Sequence, residues 1–207
     1  MRLEPFALHG RHVVLEPLEQ RHAVDLLTAA GDRSTFGHTL VPHDIDSMTS
    51  YIDGLLHDAG VDAAVPFVQR RLADGALVGC TRFLNLVWWP GRDAPVEVEI
   101  GGTWLATDAQ RSAINSEAKL LLLGHAFDVW HAARVAICTD ARNDRSRRAI
   151  ERLGATFEGV LRNHRAAAGV ESVPGTSRDT AAYSVIPAEW PTIRERLCAS
   201  LEPGGAR

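Results

Sequence analysis

The sequence has no dense run of lysine and arginine, no apolar stretch long enough to span a membrane, and no paired cysteines. Each absence removes a class of function. Without a basic run there is no row of cations to neutralise phosphates, and 22 basic against 26 acidic residues leave a net charge of -4, so no nucleic-acid partner is expected. The opening MRLEPFALHGRHVVLEPL lacks the apolar core and small-residue cleavage site of a signal peptide, which with the missing apolar run makes the expected location cytoplasmic, without a membrane partner. Cys80, Cys138 and Cys198 are odd in number, far apart and set in apolar segments; they read as buried thiols rather than as disulfides or zinc ligands. His125 and His131 lie six apart, not at the spacing that puts two imidazoles on one helix face, and no metal is expected. Neither GxGxxG nor GxxxxGK[ST] occurs, which ranks a nucleotide-binding protein below the alternatives.

What is present fits one globular domain over residues 1–207, with 45% hydrophobic and 23% charged content. Short β-type runs alternate with helical patterns throughout, the signature of an α/β chain. His12 to Glu16 reads as a strand, followed by helices near Gln20 to Ala30 and Asp44 to Ala59. Pro66 to Arg71 and Ala76 to Leu84 form a hairpin around Asp74-Gly75. Val96 to Leu105 is the fourth strand. Its alternation puts Glu97, Glu99, Gly101 and Thr103 on one face and Val96, Val98, Ile100 and Trp104 on the other, and Gly101-Gly102 suggests a bulge. A long helix over roughly Ser116 to Trp130 leads to the fifth strand, Arg134 to Thr139. The next helix, Asn143 to Leu153, has Asn143 as N-cap and Gly154 as its left-handed stop. Strands at Thr156 to Leu161 and Asp179 to Ile186 flank a polar surface loop, Arg162 to Arg178, and Glu189 to Leu201 closes the chain as a helix.

Three features could carry chemistry: the acidic strand with its glycine break, the segment Gln110 to Asn115 opening the long helix, and Asn143-x-x-Ser146 after the next strand. A strand leading through small residues into a helix presents unpaired backbone N–H groups and the positive end of a helix dipole, a receptor for a pyrophosphate.

In these segments the chain resembles the GNAT superfamily of N-acetyltransferases, in its RimJ/RimL-like branch of ribosomal-protein N-terminal acetyltransferases. LEPL (Leu15 to Leu18), VEIGGTWL (Val98 to Leu105), QRSAINSEAKLLLLGHAFD (Gln110 to Asp128) and TDARNDRSRRAIERLGATFEGVLR (Thr139 to Arg162) carry the resemblance, in the family's order. It implies a mixed, mostly antiparallel central sheet, splayed between the fourth and fifth strands, with helices on both faces. It also implies transfer of an acetyl or other short acyl group from acyl-CoA to a primary amine, by direct attack in a ternary complex.

The resemblance assigns the cofactor-binding residues. Gln110, Arg111, Ser112, Ala113, Ile114, Asn115 and Ser116 would hold the pyrophosphate, Asn143 and Ser146 the pantetheine arm and sulfur, and the backbone at Trp104 and Leu105 the thioester carbonyl. Ala113 and Asn115 stand where the family places glycine or another small residue; alanine is small, and asparagine tolerates the left-handed region. These departures leave open a non-catalytic acyl-CoA-binding regulatory module. Glu99 is the candidate base for the amine, with Glu97 in reserve, and Ser146 the candidate proton donor to the leaving thiolate. Tyr183 would line the amine pocket or assist the thiolate, or else pack half-buried. Trp88, Trp89 and Trp104 could border a groove but read as core. The expected partners are acyl-CoA and an amine acceptor, with room for a homodimer. The loop Arg162 to Arg178, long for a compact domain, is expected to help cover the amine site.

Overall fold

The computed structural model describes residues 3–169, 172, 173 and 175–202. Eight strands form one sheet: β1 (Leu8–His9), β2 (Val13–Pro17), β3 (Ala64–Arg71), β4 (Leu77–Val87), β5 (Glu97–Leu105), β6 (Arg134–Asp140), β7 (Thr156–Ala166) and β8 (Ser177–Val185). Their order is β1-β2-β3-β4-β5-β6-β8-β7. Every neighbouring pair is antiparallel except β5 and β6. A parallel pair needs a crossover, supplied here by helix α3 (Ala113–Gly124) and the π-turn His125–Val129. The expected fourth and fifth strands are thus β5 and β6; the two-residue β1 carried too little pattern to be foreseen.

Each face buries its own apolar set. Val98 and Ile100 of β5 pack with Ala118 and Leu122 of α3 and with Trp190 and Ile193 of α5 (Trp190–Leu201). On the other face Val68, Cys80 and Trp104 pack with Leu26 of α1 (Ala23–Ala29) and with Met48 and Ile52 of α2 (Ile45–Gly60). Helix α4 (Asp144–Leu153) has the foreseen ends: Asn143 Oδ1 accepts the Ser146 N–H, and Gly154 has φ 103°. The β3–β4 hairpin turns at Gly75 with φ 75°.

Several expectations need correction. Helix α3 begins at Ala113 rather than near Ser116, because Ser112 takes the N-cap and accepts the Ile114 N–H. Only residues 110–112 are therefore loop. The polar segment Arg162 to Arg178 is mostly hairpin: β7 continues to Ala166 and β8 begins at Ser177, since cross-strand pairing overrides the segment's weak strand propensity. Residues 170, 171 and 174 of the remaining turn lie outside the described residues. Cys198 is exposed rather than buried. β4 ends at Val87, so Trp88 and Trp89 lie beyond it, and Trp89 is exposed rather than core.

One buried carboxylate ties α3 to the start of the sheet. Glu117 accepts N–H bonds from Arg11 (2.8 Å), His12 (2.7 Å) and Val13 (2.9 Å). Glu117→Gln should put an amide donor against one of these donors and destabilise the fold by about 1–3 kcal/mol. The expected fall in melting temperature is about 2–4 °C per kcal/mol for a chain of this size; an unchanged melting curve would refute this role.

Candidate acyl-transfer site

β5 and β6 touch through three pairs only, Glu97↔Arg134, Val98↔Val135 and Glu99↔Ala136. Beyond Glu99, β5 continues against β4 and β6 continues against β8, so the sheet opens into a wedge whose vertex is Glu99. Against β4, Arg82 pairs with Gly101 and Cys80 with Trp104, placing one extra residue on β5. The residue at the break is Gly102, with φ 58°. A Cβ there would stand 2.7 Å from the Arg82 guanidinium carbon, so a larger residue would have to push that side chain aside as well as adopt the left-handed backbone that glycine takes without strain. The bulge inverts the rest of the strand. Trp104 belongs to the face of Glu99, packed with Cys80, while Thr103 turns to α3 and accepts a hydrogen bond from Lys119 Nζ at 2.8 Å. Strict alternation had assigned both residues to the wrong faces, since a bulge adds half a period.

At the open end of the wedge Gln110 joins three elements. Its Nε2 donates to the Leu105 carbonyl (2.9 Å) and to Thr35 Oγ1 (2.8 Å), and its Oε1 accepts from Arg145 Nη1 (3.1 Å). Arg145 also donates to the Thr35 carbonyl at 2.7 Å. The N-termini of α3 and α4 are thereby held together, with Arg111 exposed in a left-handed turn (φ 58°) beside them. Ala113, Ile114, Asn115 and Ser116 supply the first-turn N–H groups of α3, where an anion is favoured; that of Ile114 is taken by Ser112 Oγ. Asn143 Oδ1 holds the Ser146 N–H at 3.0 Å, so the pair is locked as an N-cap. The sequence did not single out Arg145 or Thr35; an arginine in a first helical turn carries no signal of the loop it meets.

Glu99 is buried, 4% exposed, and accepts three hydrogen bonds. Arg165 Nη1 donates to its Oε1 at 2.9 Å, Arg165 Nη2 to its Oε2 at 2.6 Å, and Asn85 Nδ2 to its Oε2 at 2.8 Å. These groups line a cavity of about 380 Å³ with Glu97, Arg134, Cys138 and Glu158. Arg134 forks onto Glu158 and also donates from Nε to Glu97 at 3.2 Å. Hydrogen bonding to Arg134 holds the Glu158 carboxyl below its usual range. Burial pushes the Cys138 thiol up to about 11, which leaves it protonated and a poor nucleophile at neutral pH.

Tyr183 does not join this cavity. Its ring is fully buried in the core on the α3 side, and its hydroxyl donates to Glu151 Oε1 (2.8 Å) and accepts from Arg147 Nε (3.3 Å). Burial is the main cause of its raised pKa. Trp104 and Leu105 are also buried, in the two separate cores. The turn after β7 closes over the loop joining α1 to α2: a Cβ on Gly169, whose φ is 91°, would meet the Gly37 carbonyl at 2.3 Å. Among the described residues no group of side chains could hold a metal ion, and no helix is long and apolar enough to cross a membrane.

The family profile "Acetyltransferase (GNAT) domain" matches residues 12–156. The chain is 33% identical over 119 residues to the Bacillus subtilis protein named "Putative ribosomal N-acetyltransferase YdaF", an alignment that spans 58% of each chain. A GCN5-related N-acetyltransferase from Brucella melitensis superposes with a TM-score of 0.83 at 28% identity, covering 100% of this chain and 92% of that one. Mycobacterium smegmatis RimJ, solved in complex with CoA-disulfide, shares the fold with a TM-score of 0.73 at 22% identity over 95% of both chains.

Proposed function

Because the chain belongs to the GNAT acetyltransferase family, we propose that it transfers an acetyl or other short acyl group from acyl-CoA to a primary amine, by direct attack in a ternary complex. The observation that carries this reading is the wedge itself. Its two strands part at Glu99, and its open end is framed by the N-termini of α3 and α4, joined through Gln110 and Arg145. A pantetheine arm laid along the gap would bring its pyrophosphate to Arg111, Ser112, Ala113, Asn115 and Ser116, pass the Trp104 and Leu105 backbone at the open end, and point its thioester towards the vertex. Ala113 adds little side-chain bulk to that approach. Asn143 and Ser146 would stand on the opposite wall, Ser146 as proton donor to the departing thiolate.

On the other side of the vertex an acceptor amine would enter the carboxylate-bearing cavity. An alkylamine is mostly ammonium at neutral pH, so attack requires a base, and Glu99 is the carboxylate at the vertex. The protonated thiols of Cys80, pushed up to about 12 by burial, and of Cys138 favour direct attack over an acyl-enzyme. Tyr183, held by Glu151 and Arg147, would act as support for α4. The name of the Bacillus subtilis relative, a ribosomal N-acetyltransferase, favours a protein N-terminus among the acceptors, and a cytoplasmic location and a homodimer complete the proposal.

Saturating acetyl-CoA should raise the melting temperature, because a ligand that binds the native state alone stabilises it by about 2.7 kcal/mol at a hundredfold excess over Kd. For a chain of this size that is a rise of about 5–10 °C. Equimolar ATP should do nothing. A flat curve with acetyl-, propionyl- and succinyl-CoA would remove the reading.

A further inference from the structure

The carboxylate best placed to receive an amine is already occupied by a cation of the same chain. Arg165 covers both oxygens of Glu99, and Asn85 adds a third donor to Oε2. Three of its four lone-pair positions are thereby taken, two of them by the guanidinium. The guanidinium therefore sits where the acceptor would have to sit.

Arg165 lies just beyond a break in the register of β7. After a first bulge at Glu158, pairing with β8 is in register from Gly159↔Ala182 to Leu161↔Thr180, and the next pair is Arg165↔Arg178, so three residues of β7 bulge against one of β8. Within the bulge Asn163 has φ 48°. The ladder below would survive a movement of Arg165. A like charge stands across the pair: burial lowers the Arg178 pKa, Asp140 offsets part of this, and the nearby Arg165 guanidinium adds to the lowering. Arg178 Nη1 is buried without a hydrogen-bond partner among the described residues. Departure of Arg165 would relieve that crowding. The neighbouring Arg134 cannot replace it, being committed to Glu97 and Glu158.

We propose that Arg165 is a resident stand-in for the acceptor: it holds the Glu99–Asn85 seat until the acceptor's ammonium displaces it, and it thereby restricts the site to cations able to compete for that seat. The inference rests on the amine-acceptor reading and adds its gate. While Arg165 is in place the guanidinium, not the acceptor, holds both oxygens of Glu99. Once an ammonium replaces the guanidinium, the same carboxylate faces a group that can give up a proton, which arginine cannot do at physiological pH.

The test uses the full chain and n-butylamine as probe, with n-butanol as the uncharged control. Arginine side-chain N–H signals are followed by NMR, that of Arg165 being assigned by its loss in Arg165→Met. In the wild type the Arg165 signal should move to the position of solvent-exposed arginines as the amine saturates, and butanol should leave it in place. Arg165→Met, shown to be folded by its melting curve, should bind the amine at least tenfold more tightly than wild type, and Glu99→Gln at least tenfold more weakly. Equal affinity in Arg165→Met and wild type, an unmoved Arg165 signal at saturation, or no binding to either protein overturns the proposal. The acetyl-CoA melting shift, read on the same samples, keeps the two claims separable: its loss sinks acyl transfer while the amine result stands on its own.

Discussion

Glu99→Gln should lower turnover about 10²-fold to 10⁴-fold, the usual contribution of a positioned general base, while leaving acetyl-CoA binding unchanged. The substitution conserves size and removes only the proton acceptor. The amide that replaces the carboxylate can still accept a hydrogen bond from Arg165 or Asn85 through its remaining oxygen, so the loss of the bidentate pair seen at 2.6 and 2.9 Å should lower the melting temperature only modestly. The pH profile separates chemistry from structure. As pH rises, a growing share of the amine is already neutral and needs no base, so the variant's rate should recover partly at alkaline pH. A carboxylate that serves only to hold Arg165 would lower stability without any such rescue. A stable, active Glu99→Gln with the wild-type pH profile would move the role to Glu97, which faces the same cavity.

Lys119→Met should stabilise the protein at neutral pH, with a gain that fades as pH rises. Lys119 is the chain's only lysine and is buried against Thr103, whose hydroxyl is paired with that of Thr81 at 2.8 Å. Among the described residues it has no carboxylate within ion-pair distance. Burial pushes its pKa down from 10.5 to about 7. Between those two values the unfolded chain carries the proton and the folded chain does not. Stability therefore rises with pH across that window, and below about 7 the fold must carry a buried ammonium. Each unit of displacement is worth about 1.4 kcal/mol, so the penalty removed by methionine is on the order of 4 kcal/mol near pH 7 and close to zero near the ordinary lysine value. Denaturant unfolding of both proteins from neutral pH to the ordinary lysine pKa measures it. A difference independent of pH would mean that Lys119 is solvated and that the Thr103 contact contributes only a hydrogen bond.

Much of the fold was legible from end to end. The β-type run His12 to Glu16, the Asp74-Gly75 hairpin, the Asn143 cap and the Gly154 stop are local signals, each set by backbone preferences that act within a few residues. The glycine pair in β5 marked a bulge. The misreadings fell where a local rule meets a partner strand. β7 and β8 reach beyond their β-rich cores because each satisfies the other's backbone, and Thr103 and Trp104 exchange faces because, between the Arg82 and Cys80 pairs, β4 sets one residue against two of β5.

For the site the division is sharper. Sequence alone determined the family, through motifs of residue types at short spacing, and the acidic strand that supplies Glu99; the wedge between the fourth and fifth strands was what the resemblance implied. Only the tertiary structure decided that Glu99 is paired with Arg165, that Arg145 locks Gln110, that Tyr183 lies on the opposite face from Glu99, and that the single lysine is buried. Charge pairing between residues far apart in the chain has no periodicity to read. Which of 22 basic side chains meets which of 26 acidic ones is set by strand order and register, and those exist only once the sheet has formed.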